Sequence, residues 1–100
     1  MTVKRIVVCQ MWEESERGWG AQPDGYSLHL TEKDREKFCK AYWASMPKSA
    51  PDEYSREFGE PYECKVSEKT YKEIIESKKH GVWYFGTPPN GLNDHRRFSD

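Results

Sequence analysis

Alternating and helically spaced apolar positions divide this chain into strands and two helices. In residues 3–12, Val7, Cys9 and Met11 point one way, and Ile6, Val8 and Trp12 point the other. A strand that is apolar on both faces belongs in the middle of a sheet with both sides covered. Residues 13–20, EESERGWG, read as a turn leading into a short strand around 18–22. Pro23-Asp24-Gly25 reads as a second turn, because proline presets φ and glycine accepts positive φ. In residues 25–30, Tyr26, Leu28 and Leu30 share a core face, while Ser27 and His29 share a solvent face.

Thr31 is placed to cap a helix over 32–46, whose stripe is Phe38, Cys39, Tyr42, Trp43 and Met46. Residues 47–60, PKSAPDEYSREFGE, carry two prolines and a glycine and predict a long loop pinned by Tyr54 and Phe58. Tyr62, Cys64 and Val66 alternate inward along a strand at 61–66. Ser67 caps a helix over 68–79 that buries Tyr71, Ile74 and Ile75, with Gly81 expected just past its end. Residues 82–86, VWYFG, form a short strand that is again apolar on both faces, and Pro88-Pro89-Asn90-Gly91 ends it.

This order predicts an α+β fold. It is a two-layer sandwich with a mixed or antiparallel sheet of four to five strands and two helices on one face. Residues 1–91 make one domain and 92–100 a loose tail. Helices on one face leave the second faces of strands 3–12 and 82–86 uncovered. Three covers are open: loop 47–60 folding back, a second copy of the chain, or a bound partner.

Composition narrows the function classes. The chain has 100 residues, 16 Lys+Arg against 17 Asp+Glu, and a net charge of −1. At 33% it is more charged than a typical domain, which is about 25% charged, and its 14% aromatic residues make up for few aliphatics. No apolar run approaches the ~20 residues of a membrane helix. No third of the chain is basic, so nucleic acid is not an expected partner. Gln10 and the glutamates after Trp12 argue against a leader peptide. Cys9, Cys39 and Cys64 are odd in number and widely spaced, which predicts free buried thiols and a cytoplasmic setting.

No motif fixes a chemistry. Asp24, Ser27 and His29 are triad residue types, but no nucleophile elbow accompanies them. The cysteines and His29, His80 and His95 lack metal-ligand spacing, so neither metal nor cofactor is expected. Two segments combine arginine with aromatic side chains: Arg17 and Trp19 in the first, and Tyr54, Arg56 and Phe58 in the second. Arginine forks onto phosphate or carboxylate, aromatics stack on bases, and both are enriched at protein–protein hot spots.

The stretch Trp12-Glu13-Glu14, then Arg17-Gly18-Trp19-Gly20, then 23–30 (PDGYSLHL) and 52–56 (DEYSR) resembles short open reading frames of phages and mobile elements. The resemblance implies a protein that acts by binding, either blocking a host defence protein or sequestering a nucleotide signal. The expected site residues are Trp12, Arg17, Trp19, His29, Tyr54, Arg56 and Phe58. The expectation is therefore a non-enzymatic binding module for a host protein. The alternatives are a sponge for a nucleotide or other anionic signal, and a small enzyme using His29 or a cysteine. A homodimer is compatible with each.

Overall fold

The computed structural model describes residues 4–16, 20–46 and 54–92. Its elements are β1 (Lys4–Glu16), β2 (Gly20–His29), α1 (Glu32–Ala44), β3 (Tyr54–Ser67), α2 (Glu68–Ser77) and β4 (Val82–Tyr84). The strands form one antiparallel sheet in the order β3-β1-β2-β4. The fold is α+β, as the pattern predicts, and β1 lies inside the sheet between β2 and β3.

Both helices start where their caps stand. Thr31 accepts a hydrogen bond from Asp34 N, and Ser67 accepts one from Thr70 N. The residue that ends α2 differs from expectation. Lys78, not Gly81, takes the left-handed cap conformation, at φ 55°.

The helices divide between the two faces, which corrects their expected placement on one. Residues alternate along β1, so Gln10 and Trp12 face away from Val7 and Cys9. Trp12 meets Phe38 and Tyr42 of α1, while Val7 and Cys9 share a cluster with Leu28, Cys64, Val66 and Ile74 of α2. β4 repeats the division: Trp83 packs on Trp12 with the rings tilted by 40°, and Val82 and Tyr84 pack against the α2-side cluster. The second helix thus covers much of the surplus apolar surface, while Ile6 and Phe85 stay 51% and 78% exposed.

The strands are longer than their patterns suggest. Glu13–Glu16 continue β1 where a turn over 13–20 was expected, and residues 17–19 lie outside the described residues. Pro23-Asp24-Gly25 does not turn the chain back. It sits inside β2 at an irregularity between Met11 and Glu13, with Gly25 at φ 87°. The second half of the expected loop, from Tyr54, is strand β3. Residues 47–53 lie outside the described residues.

β3 is an edge strand, and several positions along its outer edge are occupied or lack a donor. An exposed edge invites pairing with another chain. At Ser55 the Tyr42 hydroxyl donates to the carbonyl (2.7 Å) and accepts from the N–H (3.0 Å), as a neighbouring strand would. Pro61 has no N–H to offer. At Glu63 the carbonyl accepts from Leu92 N (3.0 Å), and Gly91 bridges Cys64. Tyr42→Phe should reopen the edge at Ser55. The expected result is a loss of about 1–2 kcal/mol in urea denaturation and a rise in self-association by light scattering. An unchanged mass and midpoint would show that Tyr42 does not guard the edge.

Candidate functional site

The triad-type residues are joined in a buried chain. Trp12 Nε1–H donates to Ser27 Oγ (2.8 Å), and Ser27 Oγ lies 2.7 Å from His29 Nε2. His29 Nδ1 lies 2.8 Å from the His80 carbonyl oxygen. A carbonyl only accepts, so Nδ1 carries the proton, and Nε2 accepts from the serine hydroxyl. Ser27 and His29 are each 0% exposed, not on the solvent face that alternation predicted. Burial holds the imidazole below its ordinary pKa, against the opposing pull of the His80 carbonyl. Every side-chain polar atom of Ser27 and His29 has a partner, and neither residue is open to solvent. Asp24 stands apart from the dyad: its carboxylate accepts from Ser55 Oγ, and its carbonyl accepts from Trp83 Nε1 (3.2 Å).

A second buried polar group went unflagged as a site. Gln10 is almost fully buried. Its amide N–H groups donate to the carbonyls of Met11 (2.9 Å) and Gly59 (3.2 Å), and its oxygen accepts from Arg35 Nη1 (3.3 Å). Arg35 also donates Nε–H to Glu32 (2.8 Å). The Arg35 hydrogen bond lowers the Glu32 carboxyl and raises the guanidinium. The one signal in the sequence is the polar interruption that Gln10 makes in an apolar strand.

The three cysteines are free and buried. Burial pushes the Cys39 thiol up to about 11. Hydrogen bonding to Cys9, together with burial, pushes the Cys64 thiol far up, and Cys9 is lowered as the other partner of that bond. Both are 0% exposed, so neither meets a reaction partner. Among the described residues no three His, Cys, Asp or Glu side chains gather as a metal site. No helix among them is long and apolar enough to cross a membrane. A crevice of about 180 Å³ between the start of α1 and the end of α2 is lined by Leu30, Asp34, Ile74, Ile75, Lys78 and His80. Small-molecule sites are usually roughly 300–1,000 Å³.

The predicted site residues therefore separate. Trp12 and His29 are core residues linked through Ser27, which corrects their assignment to a ligand- or partner-binding surface. Arg17 and Trp19 lie outside the described residues. Tyr54, Arg56 and Phe58 share β3. Tyr54 meets the Trp43 ring at 6.0 Å, and Trp43 Nε1 donates to Glu57 (2.7 Å). Arg56 Nε donates to Glu13 across the strands (2.7 Å), and Phe58, opposite Met11, is 52% exposed. Arg56 and Phe58 alternate onto one face of the sheet, beyond the part that the α2-side cluster covers. No family model, curated protein or solved structure matches the chain.

Proposed function

We propose that this chain is a non-enzymatic binding module that docks on a protein, in the cytoplasm, through the Met11–Arg56–Phe58 end of its sheet. Its resemblance to phage and mobile-element proteins makes a host defence protein the partner class. The supporting observation is a contrast in exposure. The chemically capable side chains, His29 and the cysteines, are buried and paired, while Phe58 stands 52% exposed beside Arg56. Exposed aromatic and arginine residues are the types that anchor interfaces.

The test is retention of a host protein by the immobilised chain, run with wild type, Phe58→Ala and Arg56→Ala. Wild type should hold one protein at near-stoichiometric amounts. Phe58→Ala should weaken the complex by ~30-fold, the equivalent of a hot-spot loss of about 2 kcal/mol. Retention that ignores Phe58→Ala removes this surface from the proposal, and retention of nothing removes the protein partner. The nucleotide sponge has less support, because Arg56 is already engaged by Glu13. It predicts a gain of about 2.7 kcal/mol at ~100 Kd of the right nucleotide, which a thermal-shift panel would detect.

A further inference from the structure

Two elements far apart in sequence meet at the turn between α2 and β4, and His29 is what joins them. Its Nδ1–H holds the His80 carbonyl across 51 positions of chain. The turn itself is unusual. Lys78 and His80 both adopt positive φ, 55° and 68°, without being glycine. Such conformations persist only while their surroundings hold them. The strand that follows is the short outer strand of the sheet, with three pairs to β2. A segment with that little sheet pairing is where local opening is expected to start.

We propose that the α2–β4 turn closes over neutral, buried His29 as an acid-labile latch, so that residues 78–84 detach from the sheet ahead of the rest of the fold as pH falls below about 6.5, because opening lets the ring take up a proton in water. The inference concerns the chain alone and does not depend on the proposed partner. Its physical basis is the hydrogen-bond inventory around the imidazole. Neutral His29 donates at Nδ1 and accepts at Nε2 from Ser27. A second proton on Nε2 would point at Ser27 Oγ, which already accepts from Trp12, and the serine proton would lose its acceptor. The imidazolium would also be fully buried, with the Phe38 ring centre 4.9 Å away.

The charged groups facing the ring from α1 are Arg35, Asp34 and Glu32. Arg35 opposes the added proton and the two carboxylates favour it. On the turn itself, His80 lies 3.2 Å from Asp34. A ring whose folded-state pKa lies below its unfolded value stabilises the closed form above the unfolded pKa, about 6.5. That stabilisation is lost as pH falls from there towards the folded value. The opening equilibrium should therefore rise by up to about tenfold per pH unit below about 6.5.

The test is amide exchange by NMR between pH 7.5 and 5, corrected for intrinsic rates, in wild type, His29→Gln and His80→Ala. Protection at Val82 and Tyr84 should fall by up to tenfold per unit, while Val7 and Cys64 keep theirs. His29→Gln should flatten the profile and His80→Ala should leave it intact. Uniform loss across the sheet, no loss, or a flat profile in His80→Ala would each overturn the latch. If His29→Gln does not fold, the His29 imidazole is titrated directly in wild type. A protonation curve that does not track the loss of protection would overturn the proposal equally.

Discussion

Trp12→Ala should cost about 3–5 kcal/mol, the range for truncating a large buried aromatic. That is a large part of the 5–15 kcal/mol that holds a typical domain together. Trp12 is 1% exposed, and rings from α1 and β4 pack on it. Its ring lies 5.0 Å from Tyr42, 6.5 Å from Phe38 and 4.6 Å from Trp83. Alanine would leave a cavity bounded by three rings, two of which are themselves anchored. Tyr42 is tied to Ser55, and the Trp83 indole is tied to Asp24. The cavity therefore cannot close by a simple shift of one neighbour. Trp12→Phe separates packing from hydrogen bonding, because it keeps much of the ring but deletes the Nε1–H that Ser27 accepts. It should cost less, with about 1 kcal/mol of its cost assignable to the lost hydrogen bond. Urea midpoints for the two variants give the comparison. Equal, small losses would show that the aromatic cluster does not carry the α1 side of the core.

How much of this was legible in the sequence depends on whether a residue's partner is near or far. β1 could be placed inside the sheet because the segment 3–12 carries apolar residues on both faces. The helix caps at Thr31 and Ser67 could be placed because a cap meets a backbone group three positions on. The division of the helices could not be read. The α1-side face carries Gln10, Ser27 and His29, and polar residues on alternate positions predict solvent. Their partners are distant: Gly59 for Gln10, 49 positions away, and His80 for His29, 51 away. Only the tertiary fold turns those polar groups into core. The breakers misled for a related reason. Pro23-Gly25 and Gly59-Pro61 are turn signals locally, yet both sit at ladder irregularities against β1, where an extra residue or a missing N–H is tolerated. Of the candidate site, Arg56 and Phe58 were legible as an arginine–aromatic pair, but Phe58 was expected to pin a loop and is 52% exposed on a strand, and Trp12 and His29 were not legible as core.

Gly81→Ala should be the second most damaging of these substitutions, at roughly 2–3 kcal/mol, near the top of the usual range for overpacking a well-packed core. A Cβ at Gly81 would lie 2.2 Å from His29 Nδ1, 2.6 Å from His29 Cε1 and 2.9 Å from the Leu28 carbonyl oxygen. No left-handed φ is involved at this position, so the penalty is steric. The imidazole has little room to retreat, since Ser27 holds its far nitrogen and the Phe38 ring centre lies 4.9 Å away. The backbone at 80–82 would have to move instead, stretching the Nδ1–H bond to His80 and the pairing of Val82 with Leu28. The methyl and the ring compete for one space, so the effects of Gly81→Ala and His29→Ala should not add. The double variant should lose less stability than the two single losses summed, by more than the ~0.5 kcal/mol scatter expected of independent sites. Additive losses in a denaturation cycle would mean that Gly81 is small for a reason other than the approach of His29. The close packing that makes the latch turn specific would then have to be assigned to Leu28 alone.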